Sequence, residues 1–170
     1  LGIEHLTLYA FSTENWNRPK LEVSALMMLL VDTLKKEINT LNKNNIKLHA
    51  IGDLTKLPKK TYKALMDGIE STKNNTRMTL HLALNYSSRW EIIEAAKKIA
   101  VLAKEGKIDP NNVDETEFDK HLATAGIPDP ELLIRTSGER RLSNYLLYQL
   151  AYTELYFTDN YWPEFRKVDF

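Results

Sequence analysis

Cysteine is absent from all 170 residues, which removes disulfides and thiolate metal ligands and fits a reducing compartment such as the cytoplasm. Net charge is absent too. The 23 basic and 23 acidic side chains cancel, so the chain shows neither the basic footprint of a nucleic-acid binder nor an acidic tail, and any anion site has to be local. No apolar run approaches the roughly 20 residues that cross a bilayer, so no transmembrane segment or membrane anchor is expected. Glycine is scarce at six residues, and none forms a G-x-G-x-x-G or P-loop pattern after a strand, which argues against a nucleotide-binding module. The start Leu1-Gly2-Ile3 is neither a signal peptide nor an initiator methionine, and the chain reads as cut at its front.

What is present is an alternation. Short β-rich apolar runs occur at Ile3–Phe11, Ile46–Gly52, Met78–Tyr86, Leu132–Thr136 and, more briefly, Glu154–Phe157, and most lead through a polar loop into a helical pattern. That order predicts an α/β fold, an open mostly parallel sheet covered by helices on both faces, in a single domain spanning residues 1–170. The clearest helix runs from about Pro19 to Asn42, with apolar residues at Val23, Leu26, Leu30, Leu34, Ile38 and Leu41. Met27, Met28, Leu29 and Val31 broaden its apolar face beyond one stripe, so more than one side is expected to meet apolar surface. Further helices are expected at Lys59–Lys73, Arg89–Lys104 and Asp114–Thr124, with Lys104–Val113 as a loop.

In an open parallel sheet, ligands bind beyond the carboxyl ends of the strands. The segments there are polar: FSTENWNRP (Phe11–Pro19), Gly52-Asp53, NYSSRW (Asn85–Trp90) and RTSGERRLSN (Arg135–Asn144). The chain has seven arginines against sixteen lysines, and Arg18, Arg89, Arg135, Arg140 and Arg141 all fall in these loops. A guanidinium fork matches phosphate oxygens bidentately, so arginines gathered at strand ends point to phosphate binding. Ser137-Gly138 and Ser143-Asn144 would add hydroxyl and backbone N–H donors, the second pair just before a helical stretch whose N-terminus attracts anions. The alternative for any single arginine is a solvated ion pair with Glu14, Glu91 or Glu139. His5, His49, His81 and His121 show no metal-site spacing, and solvent or sheet-packing roles are expected of them. Tyr145, Tyr148, Tyr152, Tyr156, Phe157, Tyr161 and Trp162 crowd the last quarter and suit a core or a subunit interface equally.

FSTENWNRP, the IGD at residues 51–53, NYSSRW, RTSGERRLSN and AYTELYFTD with WPEF resemble, in order, the signatures of cis-prenyltransferases of the undecaprenyl diphosphate synthase type. The resemblance implies an enzyme that condenses isopentenyl diphosphate onto an allylic diphosphate, farnesyl diphosphate at the start, to make a long cis-polyprenyl diphosphate, undecaprenyl diphosphate in a cell-wall lipid carrier role. It implies Mg2+ as cofactor, since two diphosphates must be gathered and one must leave as an anion, and it implies a homodimer whose product goes to the membrane. By resemblance Arg135, Arg141, Leu142 and Ser143 hold isopentenyl diphosphate. Arg18 contacts the allylic diphosphate near Ser12, Thr13, Glu14 and Trp16, and Glu154 is the metal-associated glutamate. Asn15 occupies a position the family pattern treats as a proton acceptor, although a neutral amide is a poor base and better suited to orienting a water or a phosphate oxygen. A hydrophobic product tunnel would be lined by Ala10, Leu26 and Met78.

The family's leading strand with its Asp-Gly-Asn-Gly-Arg-Trp loop and its arginine-rich tail have no counterpart in these residues. The 170-residue chain alone is therefore expected to be inactive or nearly so. Serine stands at residues 87, 88 and 137 where many relatives carry glycine, and Arg140 where some carry histidine. The main alternative is a catalytically silent cis-prenyltransferase-like subunit supporting an active partner; the presence of Arg18, Arg135, Arg141, Ser143 and Glu154 favours the enzyme.

Overall fold

The computed structural model describes residues 2–166, 168 and 169; Leu1 and Phe170, the ends of the expected domain, lie outside them. The chain divides into two compact units, Leu1–Tyr86 and Ser87–Phe170. Both are built on parallel strands flanked by helices, and the five predicted strands form two sheets of three and two strands.

In the first unit β1 (His5–Ser12), α1 (Lys20–Lys43), β2 (Ile46–Ile51), α2 (Lys59–Thr72) and β3 (Met78–Tyr86) follow one another, with strand order β1-β3-β2. The near-continuous apolar run of β3 suits a central strand covered on both faces, and it is buried from His81 to Tyr86. β2 pairs with β3 in unbroken register from Ile46↔Met78 to Ile51↔Ala83. β1 keeps register from His5↔Thr79 to Tyr9↔Ala83, after which Ala10 has no partner and Phe11 meets Leu84. This bulge turns Phe11 into the core.

Leu48, Leu82 and Leu84 of the strands pack with Val23, Met27 and Leu34 of α1 and Leu65 of α2. Burial of one such leucine contributes about 1.5–3 kcal/mol. α2 presses against β2 where Gly68 leaves room: a Cβ there would stand 3.1 Å from Leu48 Cδ2. One turn on, the buried Thr72 hydroxyl accepts the Leu48 N–H at 3.0 Å and donates to Gly68 O at 2.9 Å. α1 ends where Asn45 enters the left-handed region at φ 56°. Its apolar residues fall on two sides: Val23, Met27, Leu34 and Leu41 are buried, while Leu21, Met28 and Leu29, expected to meet apolar surface, are exposed.

A histidine ladder crosses the sheet. His81 Nε2 lies 3.0 Å from His5 Nδ1, and His81 Nδ1 lies 3.0 Å from His49 Nδ1. Each contact needs one N–H and one lone pair, so a neutral His81 donates to one neighbour and accepts from the other. Burial, with His49, His5 and Lys47 adding repulsion, pushes the His81 pKa down to about 4. The expected sheet-packing role of His49 and His81 takes this form.

In the second unit come α3 (Ser88–Lys104), α4 (Glu115–Asp119), β4 (Leu132–Arg135) and β5 (Glu154–Phe157); β4 and β5 pair in parallel from Leu132↔Glu154 to Arg135↔Phe157. The helix predicted over Asp114–Thr124 is shorter. Asp114 caps it through the Glu117 N–H at 2.8 Å, but the Ala123 N–H is drawn to Oε2 of the buried Glu91 at 2.9 Å, off the helical ladder. The helical stretch expected after Asn144 is a set of turns, because Ser143, Asn144 and Leu146 all have positive φ. Of the terminal aromatics, Tyr145 is buried and Tyr148 packs on Phe118, the core role expected of them, whereas Tyr152, Tyr156, Tyr161 and Trp162 are exposed. Among the described residues no helix is long and apolar enough to cross a membrane.

Candidate functional site

The segment after β1 is a 3-10 turn over Thr13–Asn17. The Ser12 N–H donates to Asn15 Oδ1 at 2.8 Å, so the Asn15 oxygen closes a turn. Thr13 donates to Glu14 at 3.1 Å. Arg18, half-exposed, pairs with Glu22 at 2.5 Å, one helical turn on rather than with Glu14. The Trp16 ring meets Phe11 edge to face at 5.1 Å, and its Nε1–H donates to Asn85 Oδ1 at 2.7 Å.

Asn85, the penultimate residue of β3, has φ 48°. Its Nδ2 donates to Asp53 O at 2.8 Å, and its own carbonyl accepts the Asp53 N–H at 3.2 Å. This approach requires Gly52, at φ 121°, where a Cβ would stand 2.1 Å from Leu84 O. The Thr55 hydroxyl and the Lys56 ammonium hold the Asp53 carboxyl below its ordinary pKa. The three strand ends of this unit are thus tied into one edge.

The second unit carries the other four arginines of the strand-end loops. Arg135 closes β4, half-buried, with its carbonyl accepting the Thr158 N–H at 3.0 Å. Ser137 and Gly138 have φ of 69° each. Their N–H groups donate to Asn160 O at 2.8 Å and Thr158 O at 3.0 Å, which corrects the backbone half of the expectation that they supply donors to an anion. Arg140 and Arg141 are exposed, the latter paired with Glu139. Leu142 O accepts the Tyr145 N–H at 3.2 Å, and Ser143 has φ 54°.

The first N–H groups of α3 are also taken. Asn144 O accepts from Ser88 at 2.8 Å, Asn144 Oδ1 from Arg89 at 3.0 Å, and Ser87 Oγ from Trp90 at 3.4 Å. The first amides of α3 are therefore committed within the protein. Glu91 is no partner for a surface arginine in the manner expected: it is buried and accepts from Gln149 Nε2 at 2.9 Å. Glu154 opens β5 with an exposed side chain. No group of three His, Asp or Glu side chains able to hold a metal occurs among the described residues.

The residues 1–170 match the family described as "Putative undecaprenyl diphosphate synthase". The chain belongs to the cis-prenyltransferases. It is 51% identical over 96% of its length to an isoprenyl transferase of Porphyromonas gingivalis, covering 65% of that protein. To a ditrans,polycis-undecaprenyl-diphosphate synthase of Haemophilus influenzae, described as (2E,6E)-farnesyl-diphosphate specific, it is 46% identical over its full length and 71% of that protein. The first three curated relatives are spanned over 63–65% of their own lengths. Among solved structures, lavandulyl diphosphate synthase from Lavandula x intermedia, in complex with dimethylallyl diphosphate, superposes with a TM-score of 0.95 at 40% identity, covering 99% of this chain and 73% of that one.

Within this cis-prenyltransferase chain the proposed tunnel residues do not form one cluster. Ala10 occupies the bulge near the carboxyl end of β1, and Met78 starts β3, about 18 Å away along the strands at ~3.3 Å per residue, while Leu26 packs against the core from α1. Asn144 was expected as an anion donor beside Ser143 and Asn85 only as part of a polar strand-end segment; the ties they make between loops were not foreseen, although asparagine is the residue most at home at positive φ after glycine. The ladder was also legible: His49 and His81 each lie three residues after the first residue of their strand run, so parallel strands in register bring them together.

Proposed function

We propose that the full-length protein condenses isopentenyl diphosphate onto an allylic diphosphate, farnesyl diphosphate first, and extends it to a long cis-polyprenyl diphosphate of the undecaprenyl class. In each cycle the allylic C1–O bond breaks and diphosphate leaves. A bond forms from C1 to C4 of isopentenyl diphosphate, and a proton is lost from C2. The observation that carries the reading is the loop after β4, where Arg135, Arg140, Arg141 and Ser143 are presented on a backbone whose Ser137 and Gly138 amides are already bonded to protein carbonyls. Such a loop offers guanidinium forks for the diphosphate of isopentenyl diphosphate, with Leu142 beside them. Arg18, Ser12, Thr13, Glu14 and Trp16 serve the allylic diphosphate.

Asn15 orients a bound oxygen through its amide NH2 group, its carbonyl oxygen being committed to Ser12. Mg2+ suits the exposed carboxylate of Glu154, a hard oxygen donor, and a single protein carboxylate leaves the remaining positions to diphosphate oxygens and water. When bound, the ion would neutralise diphosphate charge.

The exposed Leu21, Met28 and Leu29 of α1 supply the second apolar side that a growing hydrocarbon needs, with Ala10, Leu26 and Met78 on its course. The exposed Tyr152, Tyr156, Tyr161 and Trp162 suit a homodimer interface. The product passes to the membrane from a cytoplasmic enzyme.

The test supplies farnesyl diphosphate, isopentenyl diphosphate and magnesium to the full-length protein and resolves products by chain length. A long cis-polyprenyl diphosphate, lost in Arg135→Ala and Arg141→Ala, is expected. Folded protein that binds diphosphate yet makes no product would instead assign a silent subunit. Turnover by residues 1–170 alone would refute their expected inactivity.

A further inference from the structure

We infer that Asn85 is a positioning residue for the allylic substrate, holding Trp16 and the turn after β1 in their working geometry. The inference rests on the allylic reading of that turn. Asn85 is 2% exposed, and its amide orientation is dictated by its partners. The indole Nε1–H of Trp16 can only donate and meets the amide oxygen at 2.7 Å. The carbonyl of Asp53 can only accept and meets the amide nitrogen at 2.8 Å. One side chain therefore couples the ends of β1, β2 and β3.

Trp16 is gripped at two points, by Asn85 at the nitrogen and by Phe11 against the ring at 5.1 Å. The turn it belongs to, Thr13–Asn17, is closed locally by the bond from Ser12 to Asn15 and is tied to β3 through the Trp16 indole. Release of the indole would remove that tie from the turn that carries the hydroxyls of Ser12 and Thr13 and leads to the guanidinium of Arg18. Displacement of a binding group by an ångström is enough to weaken the transition state substantially. The positive φ of Asn85 admits glycine in its place without backbone strain, so the side chain can be removed while the Asp53 N–H keeps its bond to the residue-85 carbonyl.

The test compares wild type, Asn85→Asp, Asn85→Gly and Trp16→Phe in the full-length protein. Steady-state constants are measured for farnesyl and isopentenyl diphosphates separately, with the 15N–1H resonance of the Trp16 indole read alongside. Asn85→Gly should raise KM for farnesyl diphosphate at least tenfold while moving KM for isopentenyl diphosphate less than twofold, and should expose the indole proton to fast exchange. Asn85→Asp, which keeps an acceptor for the indole, should retain the protected resonance and recover part of the allylic KM. Trp16→Phe should reproduce the glycine variant, and the double variant should be no worse than either alone. A folded Asn85→Gly protein with an unprotected indole and an unchanged allylic KM would overturn the inference, as would equal loss for both substrates. Absence of condensation in the wild type would refute the proposed function instead. Direct titration with farnesyl diphosphate then decides the inference, weaker binding to Asn85→Gly supporting it and equal binding overturning it.

Discussion

Substitution of Asn144 separates two contributions that the structure assigns to one residue. Its Oδ1 accepts the Arg89 N–H at 3.0 Å, capping α3 from outside the helix, and its backbone sits at φ 60°. Loss of a capping oxygen costs about 1 kcal/mol. Holding an ordinary Cβ-bearing residue in the left-handed region costs about 1–2 kcal/mol. Asn144→Asp keeps the acceptor and should stay within about 0.5 kcal/mol of wild type. Asn144→Gly loses the cap but not the backbone freedom, a deficit of about 1 kcal/mol. Asn144→Ala loses both, about 2–3 kcal/mol by adding the two contributions. Urea unfolding of the full-length protein, with the midpoint read at constant m, measures the series. Equal destabilisation by glycine and alanine would refute the backbone contribution, and an aspartate variant as weak as alanine would refute the cap. Because Asn144 follows Ser143 directly, the alanine variant should also raise KM for isopentenyl diphosphate more than for the allylic substrate.

Thr72→Val keeps the shape of a fully buried side chain but leaves the Leu48 N–H without its acceptor. It should lose about 1–3 kcal/mol in denaturant unfolding, and Thr72→Ser, which restores the oxygen, should lose less; equal losses would show that the hydroxyl is not the cause. The histidine ladder predicts acid sensitivity. With the folded His81 pKa near 4 against an ordinary 6.5, the unfolded chain binds a proton that the folded one refuses between these values. Its contribution is therefore whole above pH 6.5 and is lost as pH falls toward 4. His81→Gln should flatten the stability profile across that window, and an unchanged slope would refute the assignment.

The strands were legible where apolar runs were compact: the predicted Ile46–Gly52 and Met78–Tyr86 differ from β2 and β3 by at most one residue. The long helix was equally plain, because its period of 3.6 persists over many turns and Pro19 marks its start. The failures share a cause in long-range hydrogen bonding. Leu146, Leu147, Leu150 and their neighbours pattern as a helix, yet the Leu147 N–H is claimed by Ser88 Oγ at 3.0 Å and Leu146 turns left-handed. Ala123 leaves α4 for Glu91 in the same way. The loop arginines were visible as composition at strand ends. The ties made by Asn85 and Asn144 were not, since a residue that acts by bonding two distant loops has no periodicity to betray it.

The amides of Ser88, Arg89, Ser137 and Gly138 all spend their hydrogen bonds within the protein. In an anion cradle made of backbone, selectivity and foldedness are the same property and cannot be altered separately. Here the scaffold is finished before any charge is added to it. Arg140 and Arg141 stand exposed on that scaffold, so exchanging, shortening or neutralising them is expected to leave these backbone bonds in place, and any specificity the proposed function gives this loop could be redesigned without the fold being renegotiated.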